Sequence, residues 1–70
     1  MANYELSNRI YELRTQKGLS QKELGAILGV SNKAVSKWET GIAIPKTETL
    51  IKLAEVFGVS TDYLLGIKDF

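Results

Sequence analysis

Apolar side chains recur at intervals of three and four residues along the chain, and long alternation of apolar and polar residues is missing. This spacing is typical of amphipathic α-helices. Serine and glycine residues separate the apolar stripes, and these residues commonly begin and end helices. The pattern therefore predicts an all-α fold, a compact bundle of five helices in a single domain over residues 1–70.

The second and third predicted helices have the clearest boundaries. Ser20 and Glu23 form a capping-box pattern, in which each side chain accepts a hydrogen bond from the other residue's backbone. This pattern predicts a second helix that ends at Gly29. Ser31 is the next N-cap, so we expect a third helix from about Asn32 to residue 41.

The other three helices are predicted from similar signals. The first ends at Gly18, the fourth runs from near Thr47 to Gly58, and a short fifth follows Ser60 and ends at Gly66. The apolar residues on the inner faces are expected to form the core, and they are Leu6, Ile10, Leu13, Leu24, Ile27, Leu28, Ala34, Val35, Trp38, Leu50, Leu53, Ala54, Phe57, Leu64 and Leu65.

Only three residues, 29–31, separate the second and third helices. Two short helices joined so closely form the pattern of a helix-turn-helix, here from about residue 20 to residue 39, whose second helix can lie in the major groove of DNA. At about 100° per residue, one arc of about 140° on that helix carries amide, hydroxyl and ammonium groups. Such groups hydrogen-bond to base edges, although an ordinary solvated helix face has similar composition. The residues of this arc are Asn32, Lys33, Ser36 and Lys37.

Charge is unevenly distributed along the chain, although the net charge is only +1. Residues 9–46 hold seven basic side chains against three acidic ones, whereas residues 47–70 hold two against four. A basic segment around the helix-turn-helix suits contact with phosphates, although a randomly solvated charge pattern stays an alternative.

The chain has no cysteine and no histidine, and this absence argues against several functional classes. Thiolate metal sites and the commonest catalytic base are missing, so we expect no metal, no cofactor, no small-molecule ligand and no enzymatic activity. No apolar run approaches the roughly 20 residues that span a bilayer. We expect a cytoplasmic protein without a membrane partner.

The chain resembles the phage repressor and Cro type of helix-turn-helix, also called the xenobiotic-response-element family. The resemblance covers residues 6–66, and its best-matched segments are Lys17-Gly18-Leu19-Ser20-Gln21, Leu28-Gly29-Val30-Ser31, Trp38-Glu39 and Phe57-Gly58-Val59-Ser60. It implies a lambda-repressor-like bundle that binds double-stranded DNA sequence-specifically. It also implies that the protein is a transcriptional regulator, and more narrowly a repressor that acts as a homodimer on an inverted-repeat operator.

The resemblance implies roles for particular residues. Gln21, Thr40 and Lys46 match positions that contact the DNA backbone, and the four residues of the polar arc match positions that face the bases. Arg14 and Glu39 match a pair that forms an internal ion pair between the first and third helices.

A self-contact is expected near the C-terminus, where several apolar residues cluster among few charges. One reading helix covers too few base pairs for useful specificity, and relatives bind as symmetric dimers. The alternative is that Tyr63 simply caps the core. The expected surface consists of Val59, Tyr63, Ile67 and Phe70.

Two departures from the family pattern limit the resemblance. Gly25 stands in the second helix where the family usually has alanine, and it can permit closer packing of the third helix. The loop residues Ile42 and Ile44 are apolar where relatives are commonly polar, so they form a partner surface or fold back over the core. A protein-interaction module of the same fold, such as an antitoxin or a coactivator-like adaptor, is therefore the alternative function.

Overall fold

A computed structural model describes residues 4–69, which form five α-helices and contain no strand. The helices are α1 (Tyr4–Gln16), α2 (Gln21–Leu28), α3 (Asn32–Glu39), α4 (Thr47–Phe57) and α5 (Thr61–Leu65). The all-α, five-helix prediction is confirmed. None of these helices is long and apolar enough to cross a membrane.

Serine side chains begin three of the helices as their positions predicted. At α2, the Ser20 hydroxyl accepts from the Glu23 backbone N–H at 3.0 Å, and the Glu23 carboxylate accepts from the Ser20 N–H at 2.8 Å. Ser31 and Ser60 accept in the same way at the starts of α3 and α5. These bonds satisfy backbone N–H groups that a helix cannot satisfy internally.

The core forms where the inner faces of the five helices meet. α2 packs chiefly on α3, and α1 packs on both α3 and α5. The predicted core residues Leu13, Ala34, Leu50 and Leu65 pack against this core while only partly buried. The buried apolar residues are Leu6, Ile10, Leu24, Leu28, Val35, Trp38, Leu53, Ala54, Phe57 and Leu64.

Ile27 was predicted to lie in the core, and this prediction was wrong, because the residue is 54% exposed. The buried residues of α2 are Leu24, Gly25 and Leu28. At about 100° per residue, these three residues span an arc of about 100° centred near Leu28, and Ile27 lies about 110° away from that centre. Ile27 therefore lies outside the buried arc and stays at the surface.

α3 ends at Glu39, two residues before the predicted end at Gly41. Gly41 has φ 79°, and its N–H donates to the Trp38 carbonyl, while the Ile42 N–H donates to the Lys37 carbonyl at 3.0 Å. This is a Schellman motif, in which a left-handed residue turns the chain back over the last helical carbonyls. Gly41 therefore ends the helix from outside it.

Candidate nucleic-acid interface

α3 exposes one side and buries the other. Asn32, Lys33 and Lys37 are exposed, whereas Val35 and Trp38 are buried against the core. Ser36, the remaining member of the predicted polar arc, is half-buried. The polar arc therefore presents one exposed amide, two exposed ammonium groups and one half-buried hydroxyl.

The two ends of α3 are held by hydrogen bonds. At the N-terminal end, the Ser31 hydroxyl accepts from the Ala34 N–H at 3.1 Å. At the C-terminal end, the Thr40 hydroxyl donates to the carbonyls of Ser36 and Lys37. Thr40 lies beside the exposed side of α3, but its hydroxyl must rotate away from these carbonyls before it can donate to a phosphate.

A cluster of three polar side chains fixes α3 relative to α1 and α2. Arg14 on α1 donates from Nε to Glu39 Oε2 at 2.6 Å and from Nη2 to Glu39 Oε1 at 3.0 Å. The same guanidinium donates to the Leu19 carbonyl at 2.8 Å, just before the cap of α2. The hydrogen bond to Glu39 raises the pKa of Arg14 above its ordinary value.

Gln21 completes this cluster from the first position of α2. Its Nε2 donates to Glu39 Oε1 at 3.0 Å, so the Glu39 carboxylate connects α1, α2 and α3. The amide nitrogen has two hydrogens, and one of them is sufficient for this bond. Gln21 can therefore brace α3 and still donate its second N–H to a phosphate beside α2.

Gly25 allows the α2–α3 turn to approach α2 closely. A Cβ atom built on this residue would lie 2.7 Å from the Val30 carbonyl oxygen and 3.3 Å from the backbone of Ser31. The Val30 N–H also donates to the Gly25 carbonyl at 2.8 Å. The missing side chain at Gly25 therefore makes room for the turn that leads into α3.

The loop between α3 and α4 displays two isoleucines to solvent. Ile42 is 76% exposed and Ile44 is 69% exposed, so the alternative in which they fold back over the core is wrong. The residues between and after them are less exposed: Ala43 packs against the core and Pro45 is buried. The exposed pair therefore forms an apolar surface between two helices of the candidate interface.

A groove of about 410 Å³ lies beside Ile44. Both polar and apolar groups line it, including Lys46 and Glu48 at the start of α4. Lys46 is exposed and precedes α4 as its N-cap residue. The ammonium group of Lys46 is therefore placed at a loop end, next to the exposed apolar surface. The residues lining the groove are Leu28, Gly29, Val30, Ala34, Trp38, Ile44, Lys46, Glu48 and Thr49.

The expected C-terminal contact surface is only partly open. Val59 packs against the core, Tyr63 is half-buried, and Ile67 is 67% exposed. Phe70, the fourth predicted member, lies outside the described residues. Arg9 covers the Tyr63 ring, with its guanidinium carbon 4.1 Å from the ring centroid.

The contact between Arg9 and Tyr63 was not predicted from the sequence. The only local signal is Glu5 four residues earlier, which indicates an ordinary ion pair on α1. That pair is present at 3.1 Å, but the Tyr63 contact joins residues 54 positions apart. Within residues 4–69, no group of three or more acidic side chains is arranged to hold a metal ion.

A family model described as helix-turn-helix matches residues 10–64 of this chain, from α1 to α5. The matched segment includes every residue proposed to face DNA. It also includes both partners of the Arg14–Glu39 pair.

Several characterised proteins are similar over most of this chain. The transcriptional regulator ImmR of Bacillus subtilis is 43% identical over 61 residues, which cover 87% of this chain and 48% of ImmR. The transcriptional activator BcrR of Enterococcus faecalis is 41% identical over 62 residues, covering 89% of this chain and 30% of BcrR. The chain thus spans half or less of each of these two relatives.

A solved structure of a protein–DNA complex has the same fold. The c2 repressor of Salmonella phage P22, in a crystal with a synthetic operator, superimposes with a TM-score of 0.81 at 37% identity. The match covers 84% of this chain and 89% of that one.

Proposed function

The chain belongs to the helix-turn-helix family, and from that premise we propose that it is the DNA-binding domain of a transcriptional regulator. It binds double-stranded DNA sequence-specifically, with α3 in the major groove. Its relatives include regulators of transcription, and a structural neighbour is seen with an operator. Because the match covers only part of the relatives, the proposal concerns this domain's contribution to regulation.

One observation carries the proposal: α3 is fixed to the domain on one side and presents hydrogen-bonding groups on the other. The Glu39 carboxylate is only 5% exposed and accepts from both α1 and α2, so the orientation of α3 is set before DNA arrives. A preorganised helix loses little conformational freedom on binding. The free side of α3 is therefore suited to reading a groove.

We assign base contacts to Asn32, Lys33, Ser36 and Lys37, because these residues share one arc of α3. Asn32 and Lys33 lie in the first turn, which contacts base edges in this motif. Asparagine pairs with adenine through two hydrogen bonds, and lysine donates to guanine.

We assign backbone contacts to Gln21, Thr40 and Lys46. Gln21 begins α2, Thr40 directly follows α3, and Lys46 directly precedes α4, so all three lie at helix ends. Donors at such positions fix the register of the protein on DNA without reading its sequence.

The regulator is proposed to act as a homodimer on an inverted repeat, with half-sites about one helical turn apart. Val59, Tyr63 and Ile67 form the described part of the contact surface. Because these few side chains make a small surface, we expect a weak contact that forms mainly on DNA. A bound protein blocks a promoter simply by occupying it, so we propose that the regulator represses transcription. We also propose that it acts in the cytoplasm, where the operator is.

We propose binding rather than catalysis as the activity. The exposed side of α3 carries amide and ammonium groups on a convex helix, and none of its exposed residues lines the groove. An enzyme instead needs reacting groups that converge on one bound substrate.

Selection of bound sequences from a random duplex library tests the proposal. We expect an enriched site made of two inverted half-sites, each read over about four or five base pairs. Recovery of unchanged random sequence after repeated rounds, with affinity that does not fall as salt rises, would overturn it.

A protein-interaction role is the second candidate, and the exposed isoleucines of the α3–α4 loop favour it. Both isoleucines are exposed, Ile44 also lines the groove, and exposed apolar patches often mark protein contacts. Sequence selection with the wild-type protein separates the two candidates, because a module that only binds protein selects no DNA sequence. Replacing both isoleucines by serine should leave the selected sequence unchanged if α3 is the reader.

A further inference from the structure

The guanidinium of Arg9 joins the first turns of α1 to the end of the domain. Its Nη1 donates to the Tyr63 carbonyl at 2.8 Å and to the Lys68 carbonyl at 3.4 Å. Its Nε donates to Glu5 at 3.1 Å, and its Nη2 lies 3.7 Å from Asp69 Oδ1. A single side chain on α1 thus contacts three residues at or beyond α5.

The same guanidinium lies over the Tyr63 ring at 4.1 Å. An arginine that stacks on a ring and also bonds to that residue's carbonyl constrains both the side chain and the backbone. Tyr63 therefore has a fixed ring orientation although it is only half-buried.

The segment after α5 is also drawn close to α1. Gly66 has φ 78°, and a Cβ atom on it would lie 2.8 Å from Cβ of Glu5. The Ile67 N–H donates to the Asp62 carbonyl at 2.9 Å. These contacts hold Ile67 at the surface, next to the residues that Arg9 binds.

We infer that Arg9 is a positioning residue for the self-contact of this domain, holding Tyr63 and residues 66–69 in the arrangement that a second copy of the chain meets. The inference rests on the proposed homodimer and adds the residue that prepares its surface. Preorganisation strengthens such a contact, because ordering each side chain on association costs free energy. Arg9 orders them in the monomer and leaves the exposed side of Ile67 for the second copy.

The test uses the 70-residue chain and two duplexes. One carries the inverted repeat recovered by selection, and the other carries the same sequence with one half-site scrambled. For Arg9→Ala, we expect the affinity for the full repeat to fall about tenfold, within the usual range of coupling between two sites. Affinity for the single half-site should change less than twofold, since α3 is untouched.

Two further variants separate positioning from general loss of stability. Ile10→Val loosens the core of α1 without touching the Arg9 contacts, and it should keep the preference for the full repeat. Arg9→Lys keeps the charge but not the fork of donors, so it should restore only part of the preference. If Arg9→Ala does not fold, Arg9→Met keeps the aliphatic stem, removes the guanidinium and should give the same selective loss.

The outcomes distinguish this inference from the proposed function. Wild-type protein that binds both duplexes equally overturns the homodimer, and the inference with it. Wild-type protein that prefers the full repeat, together with an Arg9→Ala variant that prefers it equally, overturns the inference alone. A parallel loss on both duplexes shows a purely structural Arg9 and also overturns the inference.

Discussion

Arg14 and Glu39 meet in a two-bond ion pair although 25 positions separate them in the chain, with Nε and Oε2 2.6 Å apart. Arg14 is on α1, and Glu39 is the last residue of α3. Both side chains are largely buried. The pair therefore fixes the orientation of α3, the proposed reading helix, relative to α1.

Breaking this pair should be costly. Arg14→Met or Glu39→Gln leaves a buried charge without its partner, and we expect a loss of about 3–5 kcal/mol in the free energy of unfolding. The double variant should lose clearly less than the sum of the two. Urea denaturation measures all three, with Glu55→Gln on exposed α4 surface as the control. Single variants indistinguishable from wild type would show that the pair contributes nothing to stability.

Acid should weaken the start of α2 through Glu23. The backbone N–H of Ser20 donates to the Glu23 carboxylate and, with the Ser20 side chain, holds the pKa of Glu23 below its ordinary value of 4.5. A carboxyl whose pKa is lowered by folding stabilises the folded state above the unfolded value, and this contribution disappears as pH falls through the folded value.

The corresponding variant is Glu23→Gln, which keeps an acceptor at the same position. Its unfolding free energy should fall less than that of wild type when the pH drops from 6 to 3. Both proteins contain the other carboxylates, so the difference between them isolates Glu23. Parallel pH curves for the two proteins would show that the capping bond does not depend on ionisation.

Gly25→Ala should fail to stabilise α2 despite the better helix propensity of alanine. The propensity gain is about 1 kcal/mol, but the new Cβ would stand 2.7 Å from a backbone oxygen, which cannot move aside as a flexible side chain can. We expect a net loss of about 1 kcal/mol or more. Ala26→Gly, at the next and exposed position, measures the propensity term alone. A Gly25→Ala protein more stable than wild type would show that the turn relaxes freely.

How far the sequence predicts this structure depends on the distance over which each contact acts. Helix starts at Ser20, Ser31 and Ser60 depend on hydrogen bonds three residues apart, and these were predicted. The end of α3 was placed two residues late, because Gly41 acts from outside the helix. The local pattern gives the type of each element better than its last residue.

Contacts between distant segments had no signal of this kind. The Arg14–Glu39 pair followed only from the family resemblance, and the Arg9–Tyr63 contact was not predicted. Ile27 matches an apolar stripe, but its burial depends on how α2 is rotated against α3, which the close approach at Gly25 determines. The exposure of Ile42 and Ile44 likewise could not be predicted, because it depends on the path of the backbone between α3 and α4.

Lys46→Ala should weaken binding to every DNA sequence by a similar factor. If this ammonium neutralises one phosphate, its loss reduces the slope of log affinity against log salt by about 0.9. Lys52→Ala, which removes an exposed lysine in the middle of α4, should leave the slope unchanged. Titrations of the selected site and of random duplex at several salt concentrations measure both effects. A change in base preference for Lys46→Ala would contradict its assignment to the backbone.

The central claim is that α3 reads bases, and the most direct measurement is the DNA sequence selected by Asn32→Ala and by Lys33→Ala. Removing a base contact should cost about 1–3 kcal/mol on the wild-type site and relax the preference at the base pair concerned. Affinity for random duplex should barely change for Asn32→Ala. Asn8→Ala, which removes an exposed asparagine from α1, should select the wild-type sequence. If Asn32→Ala and Lys33→Ala both also select the wild-type sequence unaltered, α3 is not the reader.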